Sequence, residues 1–130
     1  DVVLNGCDNF STRYLVNDEC VKAKKPLVDG SIQKFSGQVS VYAPHIEGPC
    51  YRCLYPEAPP KELAPNCSEL GVIGVLPGII GTLEATEAIK ICLDLGEPLI
   101  GKLLQYDALK QEFRKIKTKK DVSCLTCNAK

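Results

Sequence analysis

Two Cys-x-x-Cys pairs place the strongest constraint on how this chain can fold. The first pair is Cys50 and Cys53, the second is Cys124 and Cys127, and seventy residues lie between the pairs. Together they supply four thiolates, which is the complete ligand set of a closed tetrahedral zinc site. If both pairs bind one ion, the end of the chain must fold back against its middle. We expect Zn²⁺ in a structural role, because four thiolates leave no open position.

The spacing of these cysteines also admits other interpretations, namely two unrelated pairs, a redox dithiol, or two disulfides. The energetics allow a shared ion, since closing a loop of this length costs roughly 4 kcal/mol and thiolate zinc binding in small domains is worth about 10–16 kcal/mol. Eight cysteines would suit a secreted disulfide scaffold, but a spacing typical of metal and redox sites fits that class poorly.

The composition is that of one ordinary globular domain. The chain has 130 residues, of which 45% are hydrophobic and 25% are charged. Sixteen basic residues balance sixteen acidic ones, which predicts no broad attraction to nucleic acid or anionic lipid. The longest uncharged apolar run, residues 70–83, is too short and too interrupted by glycine and proline to span a bilayer. We expect a cytoplasmic protein with no nucleic-acid or membrane partner.

The start of the chain indicates that it is part of something longer. It contains no methionine, and it begins inside an apolar stretch at residues 1–4. Either a leader was removed or the chain is a piece of a larger protein. We interpret it as an excised fragment.

Hydrophobic periodicity predicts an α/β fold with a mixed sheet. Apolar or alternating stretches indicate short strands, at residues 2–4, 27–32, 38–42, 103–106 and 113–116. A helix over residues 10–24 is predicted between the first two strands, with Asp8 or Asn9 as its N-cap. Strand, helix and strand at this spacing are typical of a parallel crossover. Residues 43–75 are predicted to be irregular, and loops of that length usually serve a function.

A second helix is the most apolar element of the chain. Its first turn is expected at Pro77 and its C-terminal cap at Gly96. Polar residues fall on one narrow side, namely Glu84, Glu87, Lys90 and Asp94. A helix with so narrow a polar face is expected to be buried in a core or an interface. Gly74, Gly78 and Gly81 would allow another element to approach its backbone closely.

The polar turn after the first strand is the candidate ligand site, because α/β folds bind ligands where a strand passes into a helix. A carboxylate such as Asp8 can hold Mg²⁺ beside a nucleotide there, and Arg13, about one turn into the helix, would face a phosphate. The alternative, favoured on chemistry alone, is that Asp8 only caps the helix and Arg13 is solvated. The chain has no G-x-G-x-x-G or Walker loop, so phosphates would be cradled elsewhere.

Cys67 is the best candidate for a reactive thiol. It lies in the long loop ahead of the second helix, and a thiol near a helix N-terminus can have a lowered pKa and act as a nucleophile. The alternative is a buried small apolar residue, a description that better suits Cys7, Cys20 and Cys92. His45, the only histidine, is interpreted as a surface loop residue.

Taken in order, these segments resemble the ThiF/MoeB/HesA branch of the ubiquitin-activating-like adenylyltransferases. The matching segments are residues 8–17 (DNFSTRYLVN), 26–28 (PLV), 37–39 (GQV), 50–53 (CYRC), 71–81, 84–90 (EATEAIK) and the closing Cys-x-x-Cys. They span essentially the whole chain. The resemblance is therefore to an ordered set of motifs and is much more specific than any single one.

The resemblance implies an enzyme that uses ATP and Mg²⁺ to adenylate the C-terminal glycine of a small ubiquitin-like sulfur carrier. The carrier would serve molybdopterin, thiamin or tRNA thiolation. It implies that Asp8 and Asn9 bind the metal and nucleotide and that Arg13 lies in the same catalytic site. Cys67 would form a thioester or persulfide in some members. The two cysteine pairs would bind zinc, and the enzyme would be a homodimer.

Several functional parts of that family lie upstream of the aspartate motif and are absent from this chain. They are its phosphate-binding glycine loop, its acidic ribose ligand, and its catalytic arginine and lysine. We therefore expect residues 1–130 to be the C-terminal half of a Rossmann-like adenylation domain, inactive by itself. Two alternatives are a non-catalytic zinc-stapled module that binds a ubiquitin-like protein, and an activating enzyme that passes a ubiquitin-like modifier on as a thioester.

Overall fold

A computed structural model describes residues 1–63 and 71–128, which build one mixed sheet of five strands. The strands are β1 (Val3–Asn5), β2 (Leu27–Gln33), β3 (Ser36–Tyr42), β4 (Lys102–Asp107) and β5 (Glu112–Lys117). The helices are α1 (Phe10–Ala23), α2 (Tyr51–Leu54) and α3 (Leu76–Leu93), with a 3₁₀ turn at Pro44–Ile46. None of these helices is long and apolar enough to cross a membrane.

The strands lie in chain order across the sheet. β1 and β2 pair in parallel, joined by the α1 crossover, and every later pair is antiparallel. The predicted crossover and the predicted mixed α/β sheet are confirmed. The end of β1 and the start of α1 thus lie at one end of a parallel pair, which is where such folds bind ligands.

The sheet packs a core on each face, because successive residues of a strand point to opposite sides. Leu27 and Tyr42 face each other across β2 and β3 and belong to the core that includes Tyr14 of α1. The next pair, Val28 and Val41, belongs to the opposite core, which α3 covers. Helix α1 and helix α3 therefore lie on opposite faces of the sheet.

Asn9 begins α1 as its N-cap. Its Oδ1 accepts hydrogen bonds from the Thr12 backbone N–H and the Ser11 hydroxyl, both at 2.8 Å. This satisfies one of the donors that the first helical turn leaves without a partner. The helix ends at Ala23, and Lys24 follows in the left-handed conformation. Of the two predicted caps, Asn9 is confirmed, and Asp8 lies outside the helix.

Helix α3 turns part of its polar side toward the sheet, which the sequence did not predict. Glu84 and Glu87 are only 9% and 5% exposed, whereas Ile89 is 56% exposed. Glu87 is satisfied, because it accepts from the Leu99 N–H at 2.8 Å and pairs with the Lys90 ammonium. Oε1 of Glu84, in contrast, is buried with no hydrogen-bond partner among the described residues. A satisfied buried carboxylate costs far less than an unpaired one.

The ends and the glycines of α3 also differ from expectation. The helix ends at Leu93 with Asp94 as a left-handed cap, so the predicted cap at Gly96 is wrong by two positions. Among the described residues, and leaving aside the backbone of its own helix, a Cβ built at Gly74, Gly78 or Gly81 would meet no atom within 4 Å. Within residues 1–63 and 71–128, no element uses the close approach that these glycines allow.

Glu84 is expected to make the stability of the fold depend on pH. Burial, and then the nearby charge of Asp29, raises the pKa of Glu84 from an ordinary 4.5 to about 7, against the opposing effect of Arg13. The folded chain thus binds this proton more tightly than the unfolded chain, and the free energy of unfolding should fall as pH rises from about 4.5 to 7.

Glu84→Gln cannot ionise and should abolish that fall. The change in the free energy of unfolding that Glu84→Gln causes should be more stabilising at pH 8 than at pH 5, by about 1–3 kcal/mol. Urea unfolding at the two pH values measures this. Glu112→Gln, at an exposed position, is the control and should leave the free energy of unfolding unchanged at both pH values. An identical pH dependence in wild type and Glu84→Gln would show that Glu84 is not the titrating group.

Candidate functional site

The turn between β1 and α1 is fixed by the last residue of β1. The Asn5 amide donates to Oδ1 of Asp29 at 2.9 Å, and its own oxygen accepts from the Cys7 backbone N–H at 3.1 Å. Asn5 and Asp29 are also partners in the parallel ladder. The two strands and the turn are therefore joined through one buried amide side chain.

Arg13 is buried and bound to the same aspartate. Its Nη1 lies 2.7 Å from both Asp29 oxygens and 3.3 Å from the Gly30 carbonyl, and its Nη2 donates to the Cys7 carbonyl at 2.8 Å. Burial raises the pKa of Asp29, and the Arg13 charge offsets part of that effect. The alternative that Arg13 is solvated is wrong, because its guanidinium is buried and holds the turn onto β2. The contact with a phosphate stays a prediction.

Breaking this pair from one side should strongly destabilise the fold. Arg13→Leu leaves the Asp29 carboxylate buried without its cation and is expected to cost about 3–5 kcal/mol. The double variant Arg13→Leu/Asp29→Asn removes both charges and should recover most of the loss. Urea unfolding compares them, with Lys22→Ala, which removes only an exposed ion pair with Glu19, as the control. A loss below about 1 kcal/mol for Arg13→Leu would contradict this description.

Asp8 is exposed, as are Gly6 and Asn9 on either side of it in the turn. Among the described residues, its carboxylate accepts one long hydrogen bond, from the Asn9 amide at 3.4 Å. The Asn9 oxygen caps α1, and the part of Asn9 in nucleotide binding stays a prediction. The Asp8 carboxylate has free lone pairs, and its oxygens are the ligand type that Mg²⁺ prefers.

The four cysteines of the two pairs lie together. Their sulfur atoms are all within 4.8 Å of one another. Cys50 lies 3.7 Å from Cys124 and 3.8 Å from Cys53, and Cys53 lies 3.5 Å from Cys127. Four sulfurs placed tetrahedrally about one zinc at 2.3 Å would be separated by roughly 3.8 Å. The cluster has the donor set and the spacing to hold one such ion.

The charges of the cluster also favour a cation. Burial, and then the nearby thiolates of Cys53 and Cys127, raises the pKa of Cys50. Burial acts on Cys124 in the same sense, but N–H groups of Cys127 and Thr126 outweigh it and lower the pKa of Cys124. Four thiolates repel one another at these distances, so full deprotonation requires a compensating positive ion. All described cysteines are free thiols.

Other predicted residues are distributed as follows. Cys67 lies outside the described residues, so its role remains a prediction. His45 is exposed, as expected, but it lies in the 3₁₀ turn Pro44–Ile46 and not in a loop. Cys20 is buried and Cys7 is partly buried, but Cys92 is exposed. Cys92 lies on the outward side of α3, which is apolar yet exposed, so the prediction that Cys92 is buried is wrong.

Asp29 and Asn17 are functional candidates that the sequence analysis missed. Asp29 is the one charged residue in β2 and directly follows the apolar Leu27 and Val28, and a charge beside a buried apolar run is a signal of a buried ion pair. Asn17 is polar but 1% exposed, and it accepts from the Tyr51 N–H beside Cys50. No comparable signal marks Asn17, because a polar residue within a helix is usually solvated.

Comparison with known proteins identifies a family and two close relatives. The ThiF family model matches residues 1–126. The sulfur carrier protein adenylyltransferase of Thermus thermophilus is 51% identical, over 98% of this chain and 48% of that protein. The SAMP-activating enzyme E1 of Haloferax volcanii is 50% identical, over 98% of this chain and 46% of that protein. The chain spans about half the length of the curated relatives it matches.

The fold is also present in a solved structure. Escherichia coli MccB with ATP matches with a TM-score of 0.78 at 19% identity, over 98% of this chain and 40% of that chain. At this identity the likeness concerns the fold. It agrees with the α/β architecture and the mixed sheet described above.

Proposed function

Because the chain belongs to the ThiF family, we propose that it is part of an enzyme that adenylates the C-terminal carboxylate of a small ubiquitin-like sulfur carrier. The carboxylate oxygen would attack the α-phosphorus of ATP, the bond to the β-phosphate would break, and pyrophosphate would leave. Support comes from the two relatives of about half identity, which are named for the adenylation or activation of small proteins. On this proposal residues 1–130 form the C-terminal half of the adenylation domain, and the binding of ATP also requires an upstream half.

The observation that carries the proposal is the exposed carboxylate of Asp8 at the end of β1. We assign Asp8 the role of binding Mg²⁺, which when bound neutralises the charge on the phosphates. Asn9 positions that carboxylate by capping α1, and Arg13 positions it through the Cys7 carbonyl.

Zinc forms the second part of the proposal. Cys50, Cys53, Cys124 and Cys127 would bind one Zn²⁺, which would join the segment after β3 to the C-terminal end of the chain. Sulfur separations near those of a tetrahedral site support this assignment. The homodimer that the family resemblance implies would bury the outward side of α3, where Ile89 and Leu93 are largely exposed.

ATP–pyrophosphate exchange tests the main proposal. The protein that contains this chain and its upstream half should exchange pyrophosphate into ATP only when a carrier with a free C-terminal carboxylate is present. A carrier amidated at its C-terminus should support none. Carrier binding without any exchange would instead favour the non-catalytic module.

A second candidate function passes the activated carrier to a thiol of the enzyme. It is favoured by the name of the Haloferax relative, an E1 activating enzyme. The Cys67 thiolate would attack the acyl carbon, the bond to AMP would break, and a thioester would form as AMP leaves.

Cys67→Ala separates this route from direct transfer of sulfur to the adenylate. We expect pyrophosphate exchange within about twofold of wild type, because adenylation precedes any attack by a thiol. If the thioester route operates, thiocarboxylate formation should be lost, and a covalent carrier adduct on wild-type Cys67 should be detected by mass spectrometry. If a folded Cys67→Ala protein lost pyrophosphate exchange itself, the assignment of Cys67 to a step after adenylation would be wrong.

A further inference from the structure

One side of α1 faces the turn that carries the first cysteine pair. Asn17 lies on this side, and its Oδ1 accepts from the Tyr51 backbone N–H at 2.8 Å. Tyr51 directly follows Cys50 and is the first residue of α2. The first N–H groups of a helix have no partner within the helix, so a buried side chain of α1 supplies the acceptor that this turn needs.

The next residue of α1 binds the next residue of the turn. Arg52 lies between Cys50 and Cys53, and its Nε and Nη2 donate to the two oxygens of Asp18, each at 2.8 Å. The Asn17 amide donates to the same Asp18 carboxylate at 3.0 Å. Such a two-bonded pairing fixes the orientation of a guanidinium as well as its position.

A third contact holds Arg52 against the helix. Its guanidinium lies 4.5 Å from the centre of the Tyr14 ring, and the Tyr14 hydroxyl donates to the Tyr55 carbonyl at 2.8 Å, just beyond α2. Both residues between Cys50 and Cys53, and the residue after α2, are therefore bound by side chains of α1. None of these side chains donates a ligand to the cluster.

We propose that Asn17 and Asp18 are positioning residues for the metal site, holding the Cys50–Cys53 turn so that its two sulfurs are spaced for one ion before the ion binds. This inference rests on the zinc part of the proposed function. A turn that is already ordered loses less conformational entropy when its thiolates close around a cation. Residues that orient metal ligands in this way typically change metal affinity by about 10–100-fold when they are replaced.

The test is metal affinity of the purified chain, measured with Co²⁺ under air-protected conditions by competition against a chelator. The thiolate-to-cobalt absorption band reports the coordination geometry. Asn17→Ala and Asp18→Asn should each weaken Co²⁺ binding about 10–100-fold, with far-ultraviolet circular dichroism like that of wild type. Glu19→Gln, on the same helix but in an exposed ion pair, is the matched control and should bind Co²⁺ as wild type does.

A charge exchange distinguishes positioning from a general loss of stability. The double variant Asp18→Arg/Arg52→Asp rebuilds the ion pair in reverse and should restore part of the affinity that either single change removes. If Asn17→Ala does not fold, Asp18→Asn and this double variant still test the inference, because Asp18 is partly exposed.

Three results would overturn the inference. One is wild-type affinity and spectrum in folded Asn17→Ala and Asp18→Asn. Another is a double variant no better than its single variants. The third is a wild-type chain that binds neither Co²⁺ nor Zn²⁺, which would overturn the zinc proposal as well, whereas the first two would overturn the inference alone.

Discussion

Asp8→Ala is expected to lower ATP–pyrophosphate exchange by about a hundredfold or more in the protein that contains this chain and its upstream half. The exposed Asp8 carboxylate makes one long hydrogen bond among the described residues, so its loss should change the free energy of unfolding by less than about 0.5 kcal/mol. The expected effect therefore concerns the reaction and not the fold. Exchange measured over a range of Mg²⁺ concentrations should show a higher metal requirement for Asp8→Asn.

The control for this prediction is an acidic residue with similar exposure far from the turn. Glu112, an exposed residue of β5, meets this requirement, and Glu112→Ala should exchange pyrophosphate as wild type does. Near-normal exchange in Asp8→Ala would show that Asp8 only shapes the turn before α1.

Cys124→Ser is expected to abolish tight zinc binding and to release the C-terminal end of the chain. Wild type should contain close to one zinc per chain, and the variant close to none, because a hydroxyl is a poor substitute for a thiolate ligand. Thiolate zinc sites in small domains contribute about 10–16 kcal/mol of apparent binding free energy. The described segment after β5 has few other attachments, one being the Lys120 ammonium on the Pro44 carbonyl.

Metal analysis and hydrogen exchange measure this second effect. Backbone protection should fall most over residues 118–128 and least over β1 and α1, because the site joins the end of the chain to the segment after β3. Cys92→Ser changes an exposed thiol outside the cluster and should leave zinc content and protection unchanged. Two disulfides and no metal in a freshly prepared, air-protected sample would contradict the zinc assignment.

Much of the fold could be predicted because local signals and tertiary packing agree. The run that becomes β2 and the alternation that becomes β3 are visible in the sequence, and Asn9 caps α1 as its residue type favours. The parallel crossover followed from the short strand–helix–strand order alone. The apolar residues of β2 and β3 are buried as their patterns predict, whereas α1 buries the polar Arg13 and Asn17.

Helix α3 could not be predicted fully because its buried face depends on distant partners. Glu87 is tolerated inside because the Leu99 N–H lies beside it, and Glu84 has space inside because it packs against Gly30. The residue at position 30 matters for the same reason, since a Cβ there would lie 2.5 Å from Cδ of Glu84. Neither relation is visible within the helix sequence.

The candidate sites were predicted in part. The two Cys-x-x-Cys pairs named the right four sulfurs, but spacing alone did not show that they meet. Arg13 was identified, but its partner Asp29 lies sixteen residues away and on another element. The sequence pointed to the turn after β1, whereas its internal arrangement depends on a buried ion pair that only the folded chain reveals.

The most direct test of the proposed function is the mass of the carrier after reaction. A small ubiquitin-like carrier with a free C-terminus is incubated with ATP, Mg²⁺ and the protein that contains this chain, without a sulfur donor, and intact mass spectrometry follows it. We predict that the carrier gains one AMP at its C-terminal carboxylate, and that Asp8→Ala produces little or none. A protein that binds both ATP and carrier, yet leaves the carrier mass unchanged and exchanges no pyrophosphate, would contradict the proposal.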